Sequence, residues 1–213
     1  MYVVERSLRL MRAALLSYGP SAVKRFLWNK EYSGGKWDFA DHTADDCVYP
    51  YLEKYAKNGS ILDLGCGSGN TANELASIAY GSYLGVDISE SALSKARRRS
   101  EENGRADKNS FVQGDFLEYV PPQPFDVILF RESMYHCPQG KIKTLLDRYS
   151  KYLGNGGVFI VRMFTMKNGE AKARPMAMFR VIETEFDVLE KGQYGESVAT
   201  VVVFRPKRLS LTG

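Results

Sequence analysis

The sequence predicts an α/β fold in which helices cover both faces of a doubly wound, mostly parallel sheet. From residue 60 onward, short apolar segments alternate with segments of helical periodicity, which is the pattern of consecutive βαβ units. The apolar segments at residues 125–130 and 158–163 are nearly continuous rather than alternating, as expected for strands buried on both faces. A length of 213 residues suits one large domain.

The composition is that of a globular protein, with 44% hydrophobic residues, 25% charged residues and a net charge of +4. It excludes the disordered, collagen-like and coiled-coil classes. No apolar run approaches the roughly 18 residues of a membrane span. Three widely spaced cysteines without a CxxC pair predict neither disulfides nor a zinc site, and they favour a reducing, cytoplasmic compartment.

The first 58 residues precede the alternating pattern. Helical spacing predicts a helix ending near Tyr18 and a second helix at residues 21–28. Residues 29–42 are predicted to form a loop in which glycines stand among large aromatic residues, and a loop does not automatically bury its aromatics. A helix at residues 43–56 follows, with Pro50 marking either a kink or the first turn.

The alternating part contains five predicted strands joined by helices. The strands lie at residues 60–64, 82–88, 110–113, 125–130 and 158–163, and the helices at 70–79, 89–102 and 141–153. A helix at 175–186 leads into two strand-like segments, 187–192 and 198–204, with a glycine-containing turn between them. This turn predicts a hairpin, so an antiparallel pair ends the sheet.

A glycine-rich turn between the first strand and the next helix is the strongest local signal. It reads Asp-Leu-Gly-Cys-Gly-Ser-Gly at residues 63–69. Glycines there allow backbone N–H groups and a helix N-terminus to approach a ligand closely. The spacing is GxGxG, whereas the dinucleotide fingerprint is GxGxxG. Asp63 would moreover repel a pyrophosphate and attract an ammonium group.

Carboxylates also follow the next two strands. Asp87 ends the second strand, where a carboxylate can bind both hydroxyls of a ribose. Asp115, followed by Phe116, comes after the third and offers an acceptor for an exocyclic amine beside an apolar face for a ring. The three acidic strand ends together predict a ligand with an ammonium group, a ribose and an adenine, but no phosphates.

These segments resemble the class I, Rossmann-like methyltransferases that use S-adenosylmethionine (SAM), of the small-molecule type. The matching segments, in the family's order and spacing, are residues 61–69, 85–89, 114–116, 125–129 and 153–158. The resemblance implies a seven-stranded sheet of order 3-2-1-4-5-7-6 with strand 7 antiparallel. It also implies SAM as the cofactor, S-adenosylhomocysteine (SAH) as its product, and a small-molecule acceptor that receives the methyl group on O, N or C.

Each motif acquires a role through this resemblance. The residues expected to bind the cofactor are Asp63, Gly65, Cys66, Gly67, Gly69, Asp87, Ile88, Asp115, Phe116 and Arg131. The first five and Arg131 would hold the methionine part, and the others the ribose and the adenine. An acidic strand end can instead cap a helix, and Phe116 can instead belong to the core.

The run after the fourth strand is expected to border the methyl acceptor. His136 is one of only two histidines, and an unperturbed imidazole titrates near pH 6.5, so it is a candidate general base. A histidine hydrogen-bonded within its loop is the alternative. Tyr135 is expected to orient the acceptor or to pack. Arg162, at the end of the fifth strand, is expected to pair with an acidic acceptor or with a local carboxylate.

Residues 1–58 are predicted to form a helical lid over a methyltransferase domain at residues 59–213. In similar enzymes, N-terminal helices cover the cofactor and help to select the acceptor. Tyr32, Trp37 and Phe39, on the predicted loop, are the candidate lid residues, although any one of them could be core.

Two other functions stay open at this point. An RNA- or tRNA-directed methyltransferase would use the basic termini, but no RNA-binding module accompanies them, so nucleic acid is disfavoured. A non-catalytic SAM-binding protein would keep the same glycine turn. No metal-ligand spacing and no membrane partner are predicted, and the oligomeric state is left open.

Overall fold

Seven strands form one sheet in the computed structural model, which describes residues 2–41, 43, 45–165, 170–195 and 198–207. The spatial order is β3-β2-β1-β4-β5-β7-β6, with β1 to β5 parallel and β7 antiparallel to both of its neighbours. The predicted fold class and strand order are therefore confirmed. The strands are Ser60–Leu64 (β1), Ser82–Asp87 (β2), Asn109–Gln113 (β3), Phe125–Arg131 (β4), Leu153–Thr165 (β5), Phe186–Tyr194 (β6) and Val198–Pro206 (β7).

Helices cover both faces of this sheet. They are Tyr2–Tyr18 (α1), Ser21–Ser33 (α2), Tyr49–Ala56 (α3), Asn70–Glu74 (α4), Glu90–Glu102 (α5), Ile142–Ser150 (α6) and Glu170–Glu185 (α7). On one face, α6 and α7 pack against buried strand residues such as Leu62 and Phe159. On the other, α3, α4 and α5 pack against residues such as Ile61 and Val127. Burial on both faces explains why the strands are apolar without alternation.

The second helix is longer than predicted. α2 continues to Ser33, because no glycine or proline interrupts residues 21–33, and it ends where the Gly34 N–H bonds the Lys30 carbonyl. Tyr32 therefore lies on a helix, so the prediction of a loop from residue 29 was wrong there. Trp37 and Phe39 do lie on the irregular segment that follows, the latter in a short 3-10 turn.

Other elements also begin or end at residues that differ from the predicted ones. α3 begins only at Tyr49, with Pro50 in its first turn, which is one of the two readings expected. α4 ends at Glu74 rather than at residue 79. Within it the Asn73 side chain donates to the Gly69 carbonyl, the kind of backbone contact that makes asparagine a poor helix former. β5 begins at Leu153 and contains the predicted turn as an irregularity in its pairing with β4. α7 begins at Glu170, with Pro175 inside it.

The N-terminal elements divide between the site and the core. α2 packs against α5 beside the carboxyl edge of the strands, whereas α3 buries Leu52 and Ala56 in the core of the sheet. A division of the chain at residue 58 stays a prediction. Among the helices in the described ranges, none has the length and apolar character needed to cross a membrane.

Candidate active site

The glycine turn (residues 65–69) joins β1 to α4. Gly65, Gly67 and Gly69 have φ angles of +85°, +55° and +76°, which other residues rarely adopt. A Cβ at Gly65 would overlap the Ser133 side chain, and one at Gly69 would lie 2.7 Å from the Ala96 Cβ. Both conformation and space therefore require glycine here, and the bare backbone stays open to a ligand.

Asp63 stands immediately before this turn and is 1% exposed. Its Oδ2 accepts a hydrogen bond of 2.6 Å from the Tyr83 hydroxyl, whereas its Oδ1 has no hydrogen-bond partner among the described residues. Burial raises the pKa of Asp63 to about 6, against the effects of Tyr83 and the nearby Arg131. An unpartnered buried oxygen is costly, and this one can accept hydrogen bonds from a cationic ligand.

Asp87 ends β2 with its carboxylate fixed by backbone donors. Its Oδ1 accepts from the Ser89 N–H at 2.8 Å and its Oδ2 from the Gly67 N–H at 2.9 Å. Burial raises its pKa to about 6 despite these bonds. Each oxygen keeps a lone pair for a further donor, so Asp87 can accept from two adjacent hydroxyls.

Asp115, after β3, already has a partner from the N-terminal segment. Its Oδ2 accepts from the Lys24 ammonium at 2.8 Å and from the Ser21 hydroxyl at 3.0 Å. Phe116, which follows it, packs edge-on against Phe130 of the core and also lines a cavity. Both expected roles of Phe116, as core and as a cavity wall, are thus compatible with its position.

Two neighbouring cavities, one smaller and one larger, open at the carboxyl edge of the strands. Asp87, Ile88, Asp115 and Phe116 line the smaller one. Most of the other predicted site residues line the larger one. They are Tyr32, Trp37, Phe39, Asp63, Gly65, Cys66, Gly67, Arg131, Tyr135, His136 and Arg162. Residues that line both are Trp28, Tyr32, Gly65, Glu132 and His136. Gly69 lines neither and acts within the turn.

A cluster of buried charges crosses the floor of the larger cavity. Arg131 lies 2.8 Å from Asp46, and Arg162 lies 3.3 Å from the same carboxylate and also pairs with Glu132. Although burial opposes it, the two arginines lower the pKa of Asp46. Arg162 thus pairs with local carboxylates, one of its two expected partners. Within the described ranges, no three His, Cys, Asp or Glu side chains are grouped to hold a metal ion.

The turn after β4 is unusual in its backbone. Glu132 has a φ of +54°, which is strained for a residue with a side chain, and its N–H donates to the Arg162 carbonyl at 2.9 Å. The Tyr135 hydroxyl donates to the Glu132 carboxylate and accepts from the Phe164 N–H at 2.8 Å. Burial, with the Glu132 charge, raises the pKa of Tyr135. Tyr135 is therefore a neutral hydrogen-bonding group.

His136 lies in the same turn with its ring edge-on to Trp28, at a centroid distance of 5.1 Å. Burial and the charges of Arg174, Arg12 and Lys24 lower its pKa to about 4. The unperturbed value near 6.5 assumed from the sequence was therefore wrong for this position. The imidazole is neutral at pH 7 and is a weak base.

Four aromatic side chains of the N-terminal segment form one wall of the larger cavity. This aromatic wall consists of Trp28, Tyr32, Trp37 and Phe39. Trp37 is central to it, with ring centroids 5.7 Å from Trp28, 6.4 Å from Tyr32 and 5.9 Å from Phe39. Phe39 forms the rim, at 80% exposure. Three of these rings were predicted, and Trp28 was not.

Sequence reasoning missed Lys24, Trp28 and Asp46 as members of the site. Each lies outside the recognised motifs and contacts residues of the site that are far away in the sequence. Basic and aromatic residues close together at positions 24–28 were the available signal.

Comparison with known families agrees with this geometry. Residues 61–157 match the model described as "Methyltransferase domain". The mRNA cap guanine-N(7) methyltransferase of Schizosaccharomyces pombe is 29% identical over 157 residues, which cover 70% of this chain and 40% of that protein. The sterol 24-C-methyltransferase of Gibberella zeae is 32% identical over 107 residues, or 50% of this chain and 28% of that protein. The chain thus spans less than half of either relative.

Among solved structures, a 1,6-didemethyltoxoflavin-N1-methyltransferase of Burkholderia thailandensis, crystallised with 1,6-didemethyltoxoflavin and SAH, has the same fold. The TM-score is 0.70 at 18% identity, covering 88% of each chain. The sheet order, the glycine turn and the family model all agree with the resemblance seen in the sequence. Residues 61–157 therefore match a methyltransferase domain, and the chain has the fold of class I, SAM-dependent methyltransferases.

Proposed function

We propose that this chain is an enzyme that transfers a methyl group from SAM to a planar small-molecule acceptor. The observation that carries the proposal is the unpartnered Oδ1 of Asp63, buried beside the glycine turn in a cavity that also contains Arg131. An α-amino acid group carries an ammonium and a carboxylate. Asp63 and Arg131 offer the matching charges side by side.

The other end of the cofactor fits the smaller cavity. Asp87 has free lone pairs for the ribose hydroxyls, and Ile88 and Phe116 offer apolar faces for the adenine. Asp115 offers a carboxylate for the exocyclic amine. The SAH bound in the Burkholderia thailandensis neighbour supports the same ligand here.

When bound, SAM supplies a methyl group on a sulfonium, which is a good leaving group in an in-line displacement. The chain's own residues then have to align the acceptor and exclude water. We assign this task to Trp28, Glu132 and His136, because they line both cavities. Tyr135 supports them by holding the Glu132 carboxylate.

The aromatic wall supports a flat acceptor. Aromatic rings prefer offset or edge-on contact with other rings, and Trp28, Tyr32 and Trp37 offer such faces around one space. The Burkholderia thailandensis neighbour was crystallised with 1,6-didemethyltoxoflavin, and the Schizosaccharomyces pombe relative is described as an mRNA cap guanine-N(7) methyltransferase. Both descriptions are compatible with a heteroaromatic nitrogen as acceptor.

The low pKa of His136 further favours an acceptor atom that has a free lone pair at neutral pH. A weakly basic imidazole is a poor partner for removing a proton from an alcohol. A ring nitrogen or a thiolate needs no such base. His136 would then orient the acceptor through a hydrogen bond, while Tyr135 holds the Glu132 carboxylate.

A second candidate is methylation of a guanine within a nucleotide or an RNA. The similarity to the cap methyltransferase, which covers 70% of this chain, favours it. A non-catalytic SAM-binding protein would show neither activity. For the compartment, we propose the reducing cytoplasm, on the ground of three widely spaced cysteines without a CxxC pair.

The test is SAH release from SAM with a panel of acceptors. The panel contains planar heteroaromatic amines and phenols, aliphatic amines, GTP and a short capped RNA. We expect turnover with planar small molecules, and an acceptor KM at least about tenfold higher for Trp28→Ala, since the stacking face is lost. Phe26→Ala, on the same helix but 67% exposed, is the matched control and should behave as wild type.

Turnover confined to aliphatic amines would contradict the planar acceptor. Turnover confined to RNA, with steep salt dependence, would favour the second candidate. SAH binding without turnover of any acceptor in the panel would favour the non-catalytic alternative.

A further inference from the structure

Lys24 is a buried cation in the smaller cavity. It lies on α2 and is 7% exposed, although lysine is almost never buried without a partner. Its ammonium lies 2.8 Å from Asp115 Oδ2, and the two side chains are 9% and 7% exposed. Ser21, one turn earlier on α2, donates to the same oxygen. Two residues of the N-terminal segment therefore meet the carboxylate that follows β3.

This contact leaves hydrogen-bonding capacity on both partners. An ammonium has three N–H donors, and Asp115 is the hydrogen-bond partner of Lys24 within the described part of the chain. The other oxygen of Asp115, Oδ1, accepts from the Leu117 N–H at 3.0 Å, and a carboxylate has about four lone-pair sites. The cavity is thus lined by a charged donor and a charged acceptor, 2.8 Å apart.

The edge of an adenine has the complementary pattern. Its exocyclic amine donates, and the ring nitrogens on either side of the amine, N1 and N7, accept. Ile88 and Phe116, which line the same cavity, offer the apolar faces between which such a ring fits. A purine with an oxygen in place of the amine would direct that oxygen at the Asp115 carboxylate. Because both groups are acceptors, no hydrogen bond would form between them.

With Asp115 accepting from the amine of the cofactor's adenine, we propose that Lys24 adds to this recognition by donating to one of the two ring nitrogens that flank the amine. This inference rests on the proposed function, since it takes SAM to be the ligand. Lys24 is then a specificity-determining residue supplied by the N-terminal segment. Cofactor binding is thereby linked to the position of α2, whose Trp28 and Tyr32 border the acceptor space.

The test is isothermal titration calorimetry of wild type and Lys24→Met with four ligands. The ligands are SAH, its 1-deaza and 7-deaza analogues, and S-inosylhomocysteine. We expect Lys24→Met to weaken SAH binding by about 10- to 100-fold, as for a hydrogen bond from a charged group. It should leave the affinity for one of the two deaza analogues unchanged, which identifies the ring nitrogen that Lys24 contacts. Wild type should bind S-inosylhomocysteine more weakly than SAH.

Lys30→Met, an exposed lysine on the same helix, is the matched control and should leave all four affinities unchanged. Lys24→Arg retains the charge and should recover part of the SAH affinity. Should Lys24→Met fail to fold, the wild-type comparison still decides: equal affinity for SAH and both deaza analogues overturns the inference.

An equal loss for every ligand on Lys24→Met would also overturn it, since Lys24 would then merely hold α2 in place. In both cases SAH still binds to wild type, so the proposed function survives. A wild-type protein that does not bind SAH would overturn the inference together with the proposed function.

Discussion

Asp46, just before α3, lies 2.8 Å from Arg131 at the end of β4, with the two side chains 4% and 10% exposed. The Asp46 carboxylate also accepts from the Val48 N–H at 2.9 Å. The pair ties the N-terminal segment to the carboxyl end of the central strands and holds Arg131 at the floor of the larger cavity. It therefore sets both the stability and the shape of the site.

Removing the Asp46 charge should destabilise the fold. Breaking a buried ion pair leaves an uncompensated charge, which costs on the order of 3–5 kcal/mol. We expect Asp46→Asn to lower the free energy of unfolding in urea by about 3 kcal/mol. Asp147→Asn, which breaks the exposed pair with Lys143, should cost less than about 1 kcal/mol. Equal losses in the two variants would contradict a buried structural pair.

Two glycine-to-alanine variants, one in the glycine turn and one outside it, separate the cost of a steric clash from the cost of backbone strain. Gly65→Ala introduces a Cβ that overlaps Ser133 at a φ of +85°, whereas Gly104→Ala has a φ of +63° and open space around it. We expect Gly104→Ala to cost about 1–2 kcal/mol from the backbone alone, and Gly65→Ala about 1–3 kcal/mol more from overpacking. Only Gly65→Ala should also lose SAH affinity. Denaturant unfolding and calorimetry provide the two readouts.

Cofactor affinity should depend on pH through Asp63 and Asp87. Burial raises the pKa of each to about 6, and the ionised carboxylates are the forms that bind an ammonium and hydroxyls. SAH affinity should therefore fall as the pH drops below about 6, by roughly tenfold per pH unit for each carboxylate that becomes protonated. Calorimetry at pH 7.5 and pH 5 measures this, and equal affinities at the two pH values would refute it.

Protonation of Asp63 and Asp87 has the opposite effect on the stability of the fold: it weakens cofactor binding but favours the folded state. Their folded pKa values lie above the unfolded value of about 3.9. Their contribution to stability is therefore complete below about pH 4 and is lost as the pH rises through about 6. Acidification from pH 7 to pH 5 should thus weaken SAH binding without a loss of fold stability from these carboxyls.

The role of His136 can be read from kinetics once an acceptor is known. Because its pKa is lowered to about 4, we expect His136→Gln to raise the acceptor KM, to lower kcat by less than about tenfold, and to leave SAH affinity unchanged. A loss of about 10²- to 10⁴-fold in kcat at constant KM would instead identify His136 as a general base.

The fold could be predicted because its signals are local and repeated. Apolar strands and helices alternate along the chain, and carboxylates follow successive strands, so the carboxyl edge of the sheet brings Asp63, Asp87 and Asp115 to the same side. The extension of α2 to Ser33 was missed, because the aromatic residues and glycines nearby favoured a loop. A helix ends at its first effective stop signal, and here that is Gly34.

The rest of the site depends on contacts that the sequence does not signal. Lys24 meets Asp115 across 91 positions of the chain, and Asp46 meets Arg131 across 85. Neither spacing follows from a helical or strand period. The pKa of His136 likewise depends on Arg12, Lys24 and Arg174, which approach it only in the folded chain.

The central claim is that Asp63 binds the ammonium group of SAM, and titration of SAH into Asp63→Asn tests it most directly. Asp126→Asn is the matched control, because Asp126 is also a strand carboxylate, bonded to Ser60 at the opposite edge of the sheet. We predict micromolar SAH binding by wild type and Asp126→Asn, at least about tenfold weaker binding by Asp63→Asn, and no binding of NAD. Unchanged SAH affinity in a folded Asp63→Asn variant, or binding of NAD in place of SAH, would contradict the account.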